Sequence, residues 1–306
     1  MQIIIGKRSN MFNLYEKCTL CPRECNVNRL NHLGYCGEGA SLTAARASLH
    51  EWEEPCISGS KGSGTVFFRG CNLKCIYCQN YSIAHNQGGQ EITTEHLAQI
   101  MLSLQNKGAH NINFVTPTHF APHVIKGVAL AKEKGLNLPI VYNTSGYEKP
   151  ETVKKLKNTV DIFLADFKYI KDETAKKYSN AQDYPKYAKA ALEEMVEIAP
   201  VPLFRDGLMK KGVIVRVLLL PDHLIETKMI VKYLYETYCD NIYISLMNQY
   251  TPIKEHEYLN LNRKVTDYEY KSLVDYAVKL GVKNAFVQKG DTAKESFIPP
   301  FDLTGI

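Results

Sequence analysis

Three cysteines packed into one short loop constrain this chain more than any other feature. The segment from Gly64 to Asn80 reads GTVFFRGCNLKCIYCQN: an apolar run, a glycine, then Cys71, Cys75 and Cys78 with three and two residues between them. A loop wound this tightly after a strand can point three thiolates at one small object. Fe–S clusters are ligated by cysteine thiolates, usually four. With three local ligands, an iron without a protein ligand would keep an open position, much as catalytic zinc sites do. A structural zinc completed by a distant residue, or a run of core cysteines, would use the same residues differently.

Seven of the nine cysteines fall into two groups: Cys18, Cys21, Cys25 and Cys36, then Cys71, Cys75 and Cys78. An odd total and an opening segment without a signal-peptide pattern argue for a reduced, soluble, cytoplasmic protein in which thiols bind metal rather than pair. No apolar run approaches membrane-spanning length, so no membrane partner is expected. The formal charge of +5 comes from basic and acidic residues spread without runs, which gives no reason to expect nucleic acid.

Beyond residue 60, short β-branched and aromatic runs alternate with longer amphipathic stretches, the pattern of βα units and a parallel sheet. Strands are expected at Thr65 to Arg69, Ile112 to Thr116, Pro139 to Asn143, Asp161 to Asp166, Val213 to Leu219 and Asn241 to Met247, with a short one at Asn284 to Gln288. Their continuous apolar character suits strands buried on both faces. Helical patterns run over Thr94 to Asn106, Val124 to Glu133, Thr152 to Lys157, Lys186 to Ile198, Thr227 to Tyr238 and Asp267 to Leu280. Thr93 or Thr94 and Asp267 read as starts, and Gly108, Gly135 and Gly281 as stops. The expected fold is α/β, a partial (β/α)6 TIM-like barrel with a small cysteine-rich amino-terminal segment. Residues 1–60 form that segment and 61–306 the barrel with a carboxy-terminal extension, the flexible stretch Ser58 to Gly64 marking the join. Chemistry in such barrels sits at the carboxyl ends of the strands.

The strand, the glycine and the CxxxCxxC spacing resemble the radical S-adenosylmethionine superfamily, and within it the activating enzymes of glycyl radical enzymes and their uncharacterised relatives. The resemblance implies a [4Fe-4S] cluster on Cys71, Cys75 and Cys78, with S-adenosylmethionine chelating the free iron. Reductive cleavage would give a 5′-deoxyadenosyl radical for hydrogen abstraction. It also implies a reductant such as flavodoxin or ferredoxin. Tyr77, before the last cysteine, would border the adenine, or else pack the loop.

The resemblance extends over roughly residues 60 to 255 through polar groups at later strand ends. Activating enzymes usually carry Gly-Gly-Glu after the second strand, where this chain has Thr116, Pro117 and Thr118. Their hydroxyls and carbonyls can accept from an ammonium, or merely form a turn; His119 and His123 beside them could reach substrate but read more readily as surface histidines. Asn143 and Thr144 end the third strand, and Asp166 and Lys168 lie at the end of the fourth. By resemblance, the aspartate and the polar pair would bind a monovalent cation and the lysine the cofactor carboxylate, with Asn143 standing where most such enzymes have Asp. Asp166 and Lys168 could instead form a plain surface pair. Arg216, inside an apolar run, must find an anion: by resemblance the cofactor's ribose or carboxylate, otherwise a protein acid. Met247 and Gln249 would line the adenine or substrate side, or Met247 would fill the core.

Cys18, Cys21, Cys25 and Cys36 suit one tetrahedral metal or one cubane, so a second Fe–S cluster, a structural zinc and a reduced apo knot all remain open. Cys56 and Cys239 read as packing residues. The close of the chain, Ser296 to Ile306, is expected either to cover the open side of the barrel or to be a plain tail. Three functions follow: radical chemistry on a glycine of a partner protein, the same chemistry on a small molecule, peptide or RNA, and a non-catalytic metal-binding regulator.

Overall fold

The computed structural model describes residues 11–288 and 298–306. Among the described residues ten strands form one mixed sheet: β1 (Leu42–His50), β2 (Ser63–Phe68), β3 (Gln90–Ile92), β4 (Ile112–Val115), β5 (Ile140–Thr144), β6 (Ile162–Asp166), β7 (Leu203–Arg205), β8 (Leu208–Leu218), β9 (Tyr243–Met247) and β10 (Ala285–Val287). The order runs β10-β9-β8-β6-β5-β4-β2-β1-β3, with β7 pairing off this path to β8. From β2 to β10 along that path every pair is parallel, whereas β1 joins β2 and β3 antiparallel. This is the open, partial α/β barrel expected from the alternating pattern.

The helices are α1 (Pro55–Ser58), α2 (Tyr81–Ala84), α3 (Thr94–Asn106), α4 (Ala121–Glu133), α5 (Pro150–Lys154), α6 (Asp172–Ser179), α7 (Tyr184–Ile198), α8 (Leu224–Tyr238) and α9 (Asp267–Leu280). Two boundaries show how local chemistry sets them. The Thr93 hydroxyl accepts from the His96 N–H to cap α3, and α9 opens with a capping box between Thr266 and Glu269. Gly281 ends α9 in the left-handed region. The central strands bury nearly every side chain, as in β4 and β5. Each large apolar residue so placed contributes about 1.5–3 kcal/mol.

Register positions the site. Phe67 lies opposite Val115, Val115 opposite Asn143, Asp166 opposite Arg216 and Arg216 opposite Ser245. The polar strand ends therefore share one edge of the sheet, level with the loop that follows β2.

Residues 11–41 form a small lobe around Tyr15, Cys18 and Leu20. Its ties to the barrel include the Thr152 hydroxyl, which donates to the Leu20 carbonyl at 2.7 Å. The amino-terminal segment then supplies β1, so a boundary at residue 60 falls between two strands paired along their length. Strand β1 (LTAARASLH) has small side chains and an internal arginine, so it lacked the apolar run that marks the other long strands. At the far end of the chain, Leu303 and Thr304 hydrogen-bond along β1 at Ala45 and Ala47, and Phe301 packs on Phe67. No helix among the described residues is long and apolar enough to cross a membrane.

Candidate active site

A cavity of ≈ 480 Å³ opens at the carboxyl ends of the parallel strands, and Cys71, Cys75 and Cys78 all face it. The loop that carries them is held at several points. Gly70 adopts φ +83°, and a Cβ there would lie 2.5 Å from the Glu38 side chain, so a larger residue is excluded. The Ile76 N–H donates to the Tyr178 carbonyl at 2.9 Å, and the Asn72 amide to the Tyr147 carbonyl at 2.7 Å. The sulfurs are themselves acceptors: the Ser179 hydroxyl donates to Cys75 Sγ at 3.0 Å and the Leu73 N–H to Cys71 Sγ at 3.4 Å. Burial pushes the Cys71 and Cys78 thiols up, and Cys75 beside both adds to it. Ionising thiols here therefore calls for a compensating positive charge. Among the described residues, no three His, Cys, Asp or Glu side chains are grouped so as to hold a single metal ion.

Of the ten further residues singled out from sequence, nine line the cavity: Tyr77, Thr116, Asn143, Thr144, Asp166, Lys168, Arg216, Met247 and Gln249. Tyr77 meets Tyr169, Tyr178 and Tyr250 edge to face and accepts a hydrogen bond from the Tyr169 hydroxyl at 2.7 Å. Thr116 has φ +58°, a strained backbone for a β-branched residue, at the strand end where the sequence departs from Gly-Gly-Glu. Lys168 Nζ donates to Asp166 Oδ2 at 2.7 Å. Burial opposes the charged amine, but Asp166, Tyr77 and Cys75 hold it well above the ordinary lysine range.

The tenth residue, Thr118, is buried away from the cavity and donates to Glu148 Oε1 at 2.5 Å, so it is not placed to meet a ligand there. Its neighbours are not the surface histidines expected. His119 is buried, bonded through Nε2 to the Arg69 carbonyl at 2.7 Å, and burial together with Arg29 lowers its pKa to about 3. His123 is wedged between the Thr94 hydroxyl and the Ala40 carbonyl. Both were misread because the lobe that covers them lies some hundred residues earlier in the chain.

Arg216 has found its anion within the protein. It pairs with Glu53 and with Glu54, the latter at 2.7 Å, and Glu53 also accepts from the Asn113 and Asn143 amides. Burial works against the Glu54 carboxylate, but Arg216 holds it below the usual range. The protein acid weighed as its partner is therefore present, and Arg216, Glu53 and Glu54 all line the cavity as one ion-paired group. The acids were missed, although two adjacent glutamates before a proline are a visible pair; nothing local says they turn back into the barrel.

Glu148 was also missed. It is fully buried, accepts from the Thr118 and Thr144 hydroxyls at 2.5 Å each, and burial raises its pKa to about 7. Cys56 is buried in packing, whereas Cys239 is exposed and is no packing residue. Ser296 and Phe297 lie outside the described residues; Ile298 and Pro299 line the cavity, so the tail does reach its wall.

An open α/β barrel with a cavity at its strand ends, lined by three thiols and by polar and apolar side chains in similar measure, is the architecture of an enzyme site. Comparison with known proteins makes the class specific: the chain belongs to the radical SAM superfamily, whose sequence model matches residues 65–234. The uncharacterized protein MJ0674 of Methanocaldococcus jannaschii is 30% identical over 280 residues, covering 87% of this chain and 76% of that one. The pyruvate formate-lyase-activating enzyme of Clostridium pasteurianum is 30% identical over 134 residues, 41% of this chain and 54% of that enzyme. Among solved structures, the FeFe-hydrogenase maturase HydG of Carboxydothermus hydrogenoformans superposes with a TM-score of 0.47 at 12% identity, covering 76% of this chain and 59% of that one. The protein is a radical SAM enzyme related to activating enzymes, and its superfamily uses a [4Fe-4S] cluster and S-adenosylmethionine.

Proposed function

We propose that the chain binds a [4Fe-4S] cluster through Cys71, Cys75 and Cys78, cleaves S-adenosylmethionine reductively, and abstracts hydrogen from a glycine of a partner protein. The observation that carries this reading is the sharing of one cavity by three thiols and the polar strand ends. The donor set fits: three sulfurs along one wall, two of them receiving hydrogen bonds, suit a cubane, which is broader than an ion. When bound, the cluster supplies one electron and an iron free of protein ligands, at which the sulfonium is cleaved to methionine and a 5′-deoxyadenosyl radical.

The protein's part is binding and orientation. Lys168 presents its ammonium to the cofactor carboxylate while Asp166 keeps that ammonium charged. Thr116, Asn143 and Thr144 offer oxygens to the amino group. Tyr77, Met247 and Gln249 border the adenine. Glu53, Glu54 and Arg216 close the floor as a hydrogen-bonded unit that excludes water from the reacting end. No monovalent cation is invoked, because the Asp166 carboxylate is met by Lys168. The electron comes from a low-potential donor such as flavodoxin or ferredoxin.

The glycine target rests on the similarity to the activating enzyme. A second reading directs the same radical at a small molecule, and it draws on Ile298 and Pro299 narrowing the cavity wall. The deciding experiment is anaerobic reconstitution with iron and sulfide, followed by reduction with S-adenosylmethionine present. Formation of 5′-deoxyadenosine and methionine is expected; a fully iron-loaded protein that forms neither would refute the reading. Deuterium transfer from a candidate partner or small molecule then separates the two targets.

A further inference from the structure

The amino-terminal lobe brings its cysteines together in a way its own packing does not require. The Cys18 N–H donates to the Val27 carbonyl at 2.9 Å and the Asn26 N–H returns to the Cys18 carbonyl at 3.0 Å, folding Cys25 back toward Cys18. A Cβ at Gly34 would meet Cys36 Sγ at 3.3 Å and Cys25 Sγ at 3.8 Å, so both sulfurs crowd one point. The Tyr35 N–H donates to Cys25 Sγ at 3.2 Å. The Cys21 carbonyl accepts from the Glu24 N–H at 3.0 Å, a tight turn that bends Cys21 toward Cys25.

A second observation points to a ligand. Arg29 is 1% exposed, and its guanidinium donates to the carbonyls of Glu38, Gly39 and His119 and lies 4.5 Å from the Tyr15 ring centre. Among the described residues no carboxylate forms an ion pair with it, and the Glu38 carboxylate is taken by Arg69 at 2.8 Å. A guanidinium cannot shed its proton, and a buried charge without a counter-charge costs several kcal/mol. Thiols lie beside it as well: the Gly34 Cβ position that is 3.3 Å from Cys36 Sγ and 3.8 Å from Cys25 Sγ is also 3.8 Å from Arg29 Cδ. A tetrathiolate metal centre carries the negative charge that Arg29 lacks.

Position selects the metal. The Cys71 N–H donates to the Cys36 carbonyl at 3.3 Å. Arg23, between Cys21 and Cys25, donates to the Asn72 carbonyl at 2.8 Å and to the Ser179 carbonyl at 3.0 Å, and the Ser179 hydroxyl bonds Cys75 Sγ. The lobe is thus hydrogen-bonded directly to Cys71 and, through Ser179, indirectly to Cys75. Zinc has no redox chemistry, so a metal placed this close to the cavity thiols can serve them only if it is a centre that carries electrons.

We propose that Cys18, Cys21, Cys25 and Cys36 hold a second iron-sulfur cluster, coordinatively closed, that relays electrons to the cavity cluster. The relay half rests on the proposed function; the metal half does not. In one turnover a one-electron donor is oxidised, the lobe cluster is reduced and then reoxidised, and the cavity cluster gains that electron. No bond is made or broken at the relay.

The test uses the full chain carrying Cys71→Ala, Cys75→Ala and Cys78→Ala together, reconstituted anaerobically with ferrous iron and sulfide. About four irons and four sulfides per chain should remain, against about twice that in the wild type. Zinc in their place, or no metal, would overturn the proposal. Should the triple variant fail to fold, the Cys18→Ser, Cys36→Ser variant is the complement: loss of half the iron supports the site, and full retention refutes it. For the relay, the electron paramagnetic resonance of the reduced wild type should show the two clusters broadening each other's signals; two independent spectra would remove the relay. None of these readouts requires S-adenosylmethionine, so they stand or fall apart from its cleavage.

Discussion

The two cysteine-bearing regions solve different problems with the same side chain. The barrel loop places three thiols on the wall of a large cavity, together with Lys168, Asp166 and Asn143. The lobe carries four, three of them buried, on the turns around Arg29, whose guanidinium donates to carbonyls. On the readings proposed above, three thiols leave room for a reactant and four leave none. Burial does not separate the two sets, since each has one half-buried cysteine and the rest buried; the cavity beside the first set does.

The sharpest way to break the contrast is to remove one thiol from the open set. Cys78→Ala is expected to abolish formation of 5′-deoxyadenosine, by more than the ~10–100-fold that loss of a supporting partner costs. Wild-type turnover in that variant would end the assignment. Cys18→Ala, in contrast, should retain part of the cleavage when dithionite supplies the electron. Equal loss in both would mean that the two regions do not divide the work as described.

Glu148 sits between the regions: Thr144, which bonds it, lines the cavity, and the adjacent Lys149 pairs with Glu24 of the lobe at 2.5 Å. Its pKa, about 7 against an ordinary 4.5, is raised by burial. The folded state therefore holds a proton that the unfolded chain releases. Stability falls as pH rises from 4.5 to 7, and the penalty is complete above 7. Glu148→Gln keeps an acceptor for both threonines and should stabilise the protein at pH 8 by roughly 3 kcal/mol, with little change at pH 4. Denaturant midpoints at the two pH values check this; an equal effect at both would show that ionisation is not the cause.

Arg29→Met should loosen the lobe's iron by about tenfold or more, as loss of a supporting partner does, while the cavity cluster keeps its own. Chelator-release kinetics resolve the two pools. Lys168→Ala is expected to raise the KM for S-adenosylmethionine about tenfold, the cost of one charge-assisted contact, without changing iron content. The smallest effect is expected from Ser179→Ala. Losing one O–H···S bond should make the cavity cluster harder to reduce by roughly 20–60 mV, the equivalent of one hydrogen bond, which a redox titration would register.

Much of the barrel could be read in advance because its signals are local. Continuous apolar runs such as Ile112 to Val115 and Ile140 to Val141 mark strands buried on both faces, and Thr93 and Gly281 mark helix ends by their own backbone chemistry. β1 escaped because small residues and Arg46 disguise it, and α6 because its buried face is Ala175, Tyr178 and Ser179 amid charge. The residues singled out at the strand ends reach the cavity because register carries each to the same edge; Thr118 lies just past that edge and turns under it.

What the sequence determined by itself was the cysteine loop, since the spacing of Cys71, Cys75 and Cys78 is a short-range property of one strand and one turn. Only the tertiary structure decided where the charges are answered. Glu53 and Glu54 meet Arg216 across more than 160 positions, and Arg29 is sealed beneath His119. Such partners are chosen by burial, because an ion removed from water must find a counter-charge or donors wherever the fold brings them.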